Sequence, residues 1–377
     1  MNIQIDNTGF NNKGAELMLC SIVDRYKNDS KINLIFNGKA TFSQKASLGL
    51  LSLISLQRFK INFYNFFPKN KFKNSGVEFK ENINVVFDAG GFHIGDQWIY
   101  SKTKKVDIDK KLNYYKTLKK QGTKIVFLPQ AAGLFEKKLS KYYFKNVLRY
   151  ADLFILRDKV SYKACVDLVG ELDKLVLYPD FTNLYNPSQD SIYKEYEGKI
   201  CIIPNYKMLS HTSKEKSNKY IDFMKALVLK LSEKNEDLFF LNHEGKGDLD
   251  IIININKSFN YPVVTNINAN DVKYIIGKSK IVVSSRFHGV VSGLSQAVPT
   301  YCTSWSHKYE ELMKDYSHNG VLNIDAYSES INKILELIDN KDSYNKCVNY
   351  LKNHGASEKK KTEEMWKKVN TIINYNE

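Results

Sequence analysis

The sequence predicts an α/β protein built of two Rossmann-like domains that face a cleft. Two successive series of strand and helix patterns support this fold, and a polar stretch over residues 183–199 separates them. A length of 377 residues favours two domains, and a hydrophobic fraction of 43% gives each domain enough apolar side chains for a core. We expect an N-terminal domain over residues 1–185, a C-terminal domain over residues 186–345, and a helical tail over residues 346–377 that packs back on the first domain.

The composition indicates an anionic partner. Lysine and arginine total 56 against 41 acidic residues, a formal charge of +15, which favours a phosphorylated small molecule, nucleic acid or an anionic lipid surface. The lysines are spread along the whole chain, whereas nucleic-acid modules concentrate basic and stacking groups on one face, so we expect no nucleic acid. Five scattered cysteines without a CxxC pair argue against a zinc site or a disulfide framework and indicate a reducing compartment.

The sequence also gives an expectation about membranes. The first residues lack the charged region and apolar core of a signal peptide, and the longest apolar stretch, residues 48–56, is too short to span a bilayer. We expect a cytoplasmic protein that can sit at the inner face of the membrane. Within residues 40–80, the segment 63–74 alternates aromatic residues with lysine, which suits an anionic interface but equally a packed insertion.

Ionisable residues follow a predicted strand of the first domain. The strand at residues 84–87 leads into Asp88-Ala-Gly-Gly, with His93 and Asp96 shortly after it. Glycines after a strand let the backbone approach a ligand closely, so these three side chains are candidate acid–base groups. The alternative is that Asp88 caps the turn and His93 packs in the interior.

The second domain contains a comparable turn with an arginine and a histidine. A β-branched strand at residues 281–283 is followed by two serines, then Arg286, Phe287, His288 and Gly289. Ligands of open α/β sheets gather at the carboxyl ends of strands, where helix N-termini favour anions, so this turn predicts an anion site with a titratable neighbour. A structural arginine paired with a carboxylate remains the alternative.

Several motifs occur in an order that resembles the polysaccharide pyruvyl transferase family. They are NKGAELM from Asn12, the strand-end Asp-Ala-Gly-Gly, LPQAAG, Leu-Arg-Asp with Ser161, and SSRFHGVVSGLSQAVP. The resemblance covers about residues 7–305. It implies a fold similar to GT-B glycosyltransferases, and transfer of the enolpyruvyl-derived group of phosphoenolpyruvate to a sugar, which leaves a pyruvate ketal.

The resemblance also implies roles for individual residues. By position, Arg157, Arg286 and His288 serve the donor, with Ser285 and Gly289 in the same turn. Phosphoenolpyruvate is a compact trianion, and two guanidinium groups can hold its carboxylate and phosphate bidentately. A histidine titrates in the range needed to protonate the methylene carbon or to assist phosphate departure.

The base for the attacking hydroxyl is less defined. Asp88 is the first candidate, and the second-line or acceptor-side candidates are Asp96, His93, Asn12, Glu16 and Glu244. Glu244 follows a strand of the second domain and could equally cap a turn. No carboxylate cluster demands a metal ion, and we expect no cofactor beyond the donor substrate.

The expected activity is thus a pyruvyl transferase. Its acceptor would be a sugar, galactose by the habit of the family, in a bacterial capsule or exopolysaccharide or its undecaprenyl-diphosphate-linked precursor. The alternative is a nucleotide-sugar-dependent GT-B glycosyltransferase, in which Glu244 would bind the ribose. A non-enzymatic glycan or nucleic-acid binding protein is suggested only by charge.

Overall fold

A computed structural model describes residues 1–55, 57–58, 61–62, 75–188 and 192–375 of the chain. The chain forms two compact units. Unit 1 comprises Met1–Phe10, Met18–Phe181 and Thr362–Glu377, and unit 2 comprises Asn11–Leu17 and Thr182–Lys361. The aromatic and lysine-rich segment 63–74, a candidate membrane element, lies outside the described residues.

Unit 1 contains an eight-stranded parallel sheet. The strands from the first part of the chain are β1 (Asn2–Asp6), β2 (Asn33–Phe36), β3 (Leu51–Ile54), β4 (Gln57–Arg58), β5 (Ile61–Asn62), β6 (Val77–Phe79), β7 (Val85–Asp88), β8 (Lys124–Gln130), β9 (Leu153–Leu156) and β10 (Leu175–Leu177). The sheet order is β10-β9-β8-β7-β1-β2-β3-β6, while β4 and β5 form a separate antiparallel pair. The helices that accompany these strands along the chain are α1 (Lys13–Tyr26), α2 (Phe42–Ser47), α3 (Lys105–Lys120), α4 (Lys138–Tyr150) and α5 (Lys159–Val169).

Unit 2 contains a five-stranded parallel sheet of order β13-β12-β11-β14-β15. Its strands are β11 (Ile200–Ile203), β12 (Leu238–Leu241), β13 (Val263–Val264), β14 (Ile281–Ser284) and β15 (Thr300–Cys302). The helices of this part of the chain are α6 (Lys207–Ser210), α7 (Lys214–Glu233), α8 (Gly245–Asn256), α9 (Ala269–Lys278), α10 (Phe287–Ser295), α11 (Lys308–Asp315), α12 (Tyr327–Asp339) and α13 (Lys341–Ile373). The prediction of an α/β chain with two Rossmann-like units is confirmed.

Both sheets reverse their strand order at one point. In unit 1 the chain moves outward from β1 through β2 and β3 to β6, and in the other direction from β7 to β10. The reversal therefore lies between β1 and β7, where Asp6 is the register partner of Asp88. In unit 2 it lies between β11 and β14, where Ile203 is opposite Ser284. Such switch points leave a crevice at the carboxyl ends of the strands, which is where ligands of this fold class bind.

The cores follow from strands that are apolar on both faces, as expected for parallel sheets covered by helices. In unit 1, Phe127 and Phe154 of neighbouring strands stack with ring centroids 4.7 Å apart. In unit 2, Ile202, Phe240 and Val283 belong to one buried cluster that α7 covers. Because these runs contain few polar side chains, the carboxylates of β1 and β7, Asp6 and Asp88, are the last residues of their strands.

All five cysteines are free thiols. Four of them, Cys20, Cys165, Cys201 and Cys302, are buried, whereas Cys347 is partly exposed. Burial raises the pKa of the Cys165, Cys201 and Cys302 thiols well above the usual value. These buried thiols are therefore protonated and chemically quiet in the folded chain.

The last helix contributes to both units. Helix α13 runs for 33 residues, and the boundary predicted at residue 346 falls inside it. From Thr362 onward the chain is part of unit 1, where Trp366 is only 2% exposed. Its indole lies 5.9 Å from the ring of Tyr26, 6.2 Å from Phe87 and 5.8 Å from Phe181, measured between centroids.

Across the described part of the chain, we find no helix with both the length and the apolar character needed to cross a lipid bilayer.

Replacing Trp366 with alanine should destabilise unit 1 because it empties the centre of this aromatic cluster. We expect the free energy of unfolding to fall by about 3–5 kcal/mol, measured by urea denaturation. Phe42→Ala is the matched control, because Phe42 is 77% exposed and its removal should change the free energy by less than about 0.5 kcal/mol. Equal effects of the two substitutions would show that the tail does not stabilise unit 1.

Candidate functional site

Arg286 lies at the switch point of unit 2 and is held by two carboxylates. It is the N-cap residue of α10, directly after the turn that follows β14. Its Nε donates to Asp248 Oδ2 at 2.8 Å and its Nη2 donates to Asp248 Oδ1 at 2.5 Å. Its Nη1 donates to Glu244 Oε2. The bidentate pair with Asp248 fixes the plane of the guanidinium group.

The two carboxylates differ in burial. The side chain of Asp248 is fully buried, whereas that of Glu244 is 36% exposed. Burial raises the pKa of Asp248, although the Arg286 charge opposes this shift. Burial also disfavours the charged form of Arg286, but Asp248 and Glu244 outweigh it, and the pKa of Arg286 is raised. The arginine therefore stays charged, and Glu244 is the partner that solvent or a ligand can reach.

His288 occupies the first turn of α10 and depends on a glycine for its space. A Cβ atom on Gly14 would lie 2.2 Å from Nδ1 of His288, far inside van der Waals contact. Gly14 belongs to the start of α1, where Asn12 Oδ1 accepts hydrogen bonds from the backbone N–H groups of Gly14 at 2.8 Å and Ala15 at 3.2 Å. Asn12 is thus the cap of α1, and it positions the glycine against which the imidazole lies.

Glu16 is also engaged locally. Its Oε2 lies 2.6 Å from the ammonium of Lys13 in an i,i+3 ion pair, and the carboxylate is largely buried. Asn12 and Glu16 belong to unit 2, which also contains Arg286 and His288.

His243 is a residue of this cluster that the sequence analysis did not single out. It is 3% exposed, and its Nδ1 has no hydrogen-bond partner among the described residues. Burial lowers its pKa well below the usual value, and the charges of Arg286, His288 and Lys13 lower it further. His243 is therefore a neutral imidazole. Its position directly after β12 was the available signal, because Arg286 follows β14 in the same way.

Ser285 and Gly289 shape the turn from within. Ser285 is 2% exposed, and its hydroxyl is within hydrogen-bonding distance of Thr303 Oγ1 at 2.7 Å and of the Tyr220 hydroxyl at 2.9 Å. A Cβ on Gly289 would lie 2.4 Å from Ser284 Oγ, so glycine allows α10 to start close to the end of β14. Both residues support the backbone that carries Arg286.

Asp88 and His93 form a second cluster, at the switch point of unit 1. Asp88 is fully buried, and His93 Nε2 lies 3.6 Å from its Oδ1. The Oδ2 of Asp88 accepts hydrogen bonds from Asn7 Nδ2 at 2.7 Å and from the Tyr115 hydroxyl at 2.8 Å. A Cβ on Gly90 would lie 2.0 Å from His93 Nδ1, so this imidazole also rests over a glycine.

A cavity of about 290 Å³ opens beside this cluster. Its lining includes Asp6, His93, Lys111 and three tyrosines, Tyr114, Tyr115 and Tyr143. The His93 side chain is 25% exposed, whereas that of Asp88 is not exposed at all. The His93 side chain therefore borders the cavity more openly than Asp88 does, while both of its ring nitrogens are buried and have no hydrogen-bond partner among the described residues. Nε2 faces the Asp88 carboxylate at a distance longer than a hydrogen bond.

Asp6 is the second carboxylate at this switch point, and the sequence analysis did not name it. Its Oδ1 accepts hydrogen bonds from Gln4 Nε2 at 2.7 Å and Asn37 Nδ2 at 3.0 Å, and its Oδ2 accepts one from the Tyr114 hydroxyl. Burial raises its pKa to about 6, against the effect of these hydrogen bonds. Its place at the end of β1 was a signal, but only the pairing of β1 with β7 brings it beside Asp88.

Two predicted site residues have partners of their own. Asp96 accepts hydrogen bonds from the backbone N–H groups of Glu136 at 2.7 Å and Lys137 at 3.1 Å, so its carboxylate serves the start of α4. Arg157 Nη1 lies 2.9 Å from Asp180 Oδ2, and both side chains are almost fully buried. A Cβ on Gly91 would be 3.8 Å from that nitrogen, which places Arg157 near the glycine turn after β7.

The structure therefore brings the candidates together in two groups. Unit 2 collects Arg286, His288 and Glu244, and unit 1 collects Asp88 and His93. Among the residues that the structure describes, no group of histidine, cysteine, aspartate or glutamate side chains is arranged to hold a metal ion.

Comparison with solved structures shows the fold class. A putative UDP-N-acetylglucosamine 2-epimerase from Listeria monocytogenes is 10% identical with a TM-score of 0.63, covering 100% of this chain and 97% of that one. HepE from Anabaena, in complex with UDP and glucose, is 12% identical with a TM-score of 0.63, covering 98% and 99%. The UDP-GlcNAc 2-epimerase of Neisseria meningitidis, bound to UDP-GlcNAc, is 13% identical with a TM-score of 0.60, covering 97% and 100%. These proteins confirm a GT-B-like fold.

Sequence comparison is more specific than structure comparison for this chain. No curated protein sequence matches it. The family model described as polysaccharide pyruvyl transferase matches residues 12–307, which include Asp88, His93, Arg157, Arg286 and His288. The chain therefore belongs to the polysaccharide pyruvyl transferase family and is a transferase enzyme.

Proposed function

We propose that the enzyme transfers the enolpyruvyl-derived group of phosphoenolpyruvate to two hydroxyls of one sugar, releasing phosphate and forming a pyruvate ketal. The acceptor sugar, with galactose as the first candidate, would belong to a surface polysaccharide or its lipid-linked precursor. The observation that carries the proposal is the Arg286–His288 turn, which places a charged guanidinium and an imidazole two residues apart at the switch point of a parallel sheet. Family membership supports the same reaction class.

Arg286 is the proposed donor-binding group. Asp248 holds its Nε and Nη2, so the Nη1 side is the part of the guanidinium available for exchange. Glu244 now occupies that side with an exposed carboxylate. A carboxylate or phosphate oxygen of phosphoenolpyruvate would replace Glu244, and the repulsion between the two anions would push Glu244 outward. Arg157 remains the proposed second arginine for the donor, with Asp180 as its resident partner.

His288 is the proposed general acid. It would protonate the methylene carbon of the donor or assist the departure of phosphate. His243 supports this assignment because a neutral neighbour adds no positive charge to the site. The Gly14 backbone limits the positions that the His288 ring can take, which favours the fixed geometry that proton transfer requires.

His93 and Asp88 are the proposed base for an acceptor hydroxyl. The imidazole lines the cavity of about 290 Å³, and the buried carboxylate behind it would stabilise the imidazolium that forms. Tyrosine rings and polar groups in one cavity suit a sugar, which has apolar faces and hydroxyl edges.

A nucleotide-sugar glycosyltransferase is the second candidate, because the similar structures named above include proteins bound to UDP or UDP-GlcNAc. In that candidate Glu244 would bind a ribose. The ion pair between Glu244 and Arg286 makes ribose binding by Glu244 less favourable, since the carboxylate already has a cationic partner.

The reaction itself is tested by incubating the purified enzyme with phosphoenolpyruvate and a panel of synthetic and lipid-linked galactosides. Mass spectrometry should detect a pyruvyl-sized gain together with phosphate release, and His288→Gln should lower the rate by about 100-fold or more. A hexose-sized gain from UDP-sugars without any reaction of phosphoenolpyruvate would support the second candidate instead.

Replacing Glu244 with glutamine should improve donor binding, because the substrate no longer displaces a charged carboxylate from Arg286. We expect the KM for phosphoenolpyruvate to fall about 3- to 10-fold, with kcat little changed. A change of this size corresponds to the free energy of one partly exposed ion pair, the contact that the donor no longer has to break. Glu233→Gln removes the same charge from a surface pair with Lys230 and should leave KM as it is. An unchanged or higher KM in Glu244→Gln would mean that the carboxylate does not compete with the donor.

Replacing Gly14 with alanine should displace the His288 ring and leave the fold intact. The added Cβ would lie 2.2 Å from Nδ1, and alanine is compatible with the start of a helix. We expect kcat to fall about 100-fold while the unfolding midpoint in urea moves little. Gly9→Ala is the matched control, because a Cβ there meets nothing within 4 Å. Full activity of Gly14→Ala would rule out a fixed role for His288.

A further inference from the structure

Asp6 is a buried carboxylate that the donor and acceptor assignments above do not use. It lies outside residues 12–307, the region that the family model matches. It is 4% exposed, yet it contributes to the lining of the same cavity as His93. Burying an ionisable carboxylate costs folding stability unless hydrogen bonds or a charged partner offset that cost. Buried carboxylates that line a cavity are therefore candidates for a functional role.

The geometry ties Asp6 to Asp88. The two residues are register partners on adjacent parallel strands, so their backbones are about 4.8 Å apart. Their carboxylates use separate sets of donors, with Tyr114 on Asp6 and Tyr115 on Asp88. Tyr114 and Tyr115 are consecutive residues of α3, and each donates a hydrogen bond to one of the two carboxylates. Asp6 and Asp88 therefore do not share a donor among these contacts.

The surroundings make Asp6 suitable for accepting a proton. Its hydrogen-bond partners are Gln4, Asn37 and Tyr114, which occupy three of about four lone-pair positions. Because Asp6 also contributes to the cavity lining, the fourth position would accept a hydrogen bond from an acceptor hydroxyl. Burial and the Asp6 carboxylate raise the pKa of Tyr114, so this phenol stays protonated and donates. Burial and the nearby Asp88 raise the pKa of Asp6 to about 6, much closer to neutral pH than an ordinary aspartate. A base is most effective when its pKa is near the working pH.

A ketal needs two deprotonated hydroxyls. Each acceptor oxygen forms a bond to C2 of the donor, the methylene carbon gains a proton, and phosphate leaves with the electron pair of its bond to C2. Two hydroxyl protons are lost. One balances the proton gained by the methylene carbon, and the other balances the charge on the departing phosphate. One base could serve both steps only by releasing its first proton in between, whereas two bases avoid that delay.

We propose that the cavity of unit 1 is a two-base site in which His93, oriented by Asp88, deprotonates one acceptor hydroxyl and Asp6 deprotonates the other. This assignment rests on the proposed function, and it names the groups that would deprotonate the two hydroxyls of one sugar in a cavity of about 290 Å³. A single hydroxyl would need only one of the two bases. The site is thus specific for bridging a pair of oxygens on one ring.

The test separates the two steps of the reaction in single turnovers of the full-length enzyme. Donor consumption, followed by phosphorus NMR, reports the first addition, because the first adduct keeps its phosphate on C2. Phosphate release reports the second step. We expect Asp6→Asn and His93→Gln each to lower ketal formation about 100-fold, but at different steps. One variant should consume donor without releasing phosphate, and the other should consume none.

The controls keep the outcomes distinct. Asp109→Asn makes the same change on an exposed face of α3, where Asp109 pairs with Lys105, and should retain both rates. Should Asp6→Asn fail to fold, Asp6→Glu keeps the charge but moves the carboxylate, and it should slow the same single step. The proposal is overturned if Asp6 variants form ketal within about threefold of the wild-type rate, or if Asp6 and His93 variants block the same step. A wild-type enzyme that consumes no phosphoenolpyruvate would instead remove the proposed function, and this assignment with it.

Discussion

The reversal of strand order in each sheet is the constraint on which both candidate clusters depend. Where β1 meets β7, and where β11 meets β14, the chain leaves neighbouring strands in opposite directions. The carboxyl ends of those strands are then not covered by a connecting helix, and polar side chains can be placed there without entering the core. Asp6 and Asp88 stand at the first reversal, and Arg286 at the second. The order of the strands therefore determines where ionisable side chains can be placed, and the residue types at those places determine their chemistry.

Glycines have the same purpose in both clusters. Gly14 leaves room for His288, and Gly90 leaves room for His93, since a Cβ atom at either position would overlap an imidazole nitrogen. A side chain that lies against backbone has few alternative rotamers, so the ring is positioned before any substrate binds. The sequence suggested that such glycines let the backbone approach a ligand. At Gly14 and Gly90 the absence of a side chain instead leaves space for an imidazole ring.

The fold and the strand-end residues could be predicted because they follow from local patterns. Apolar runs bounded by turns indicate buried parallel strands, and a residue directly after such a run lies at the carboxyl edge of a sheet. Partners could not be predicted in the same way. Asp248 holds Arg286 across 38 residues of sequence, and Asp6 pairs with Asp88 only through the order of the strands. Asp96 shows the opposite case, since its carboxylate lies beside a glycine-rich turn in sequence but serves a helix start 40 residues away.

The buried cysteines make the two units separately observable. Cys20 and Cys165 lie in unit 1, Cys201 and Cys302 lie in unit 2, and a thiol must reach solvent before it can react with an alkylating reagent. Cys347 is partly exposed, so we expect it to react first and to give an internal reference for the reagent. Peptide-resolved alkylation under rising denaturant would then report which unit opens first, in a crude extract and without any ligand or activity measurement.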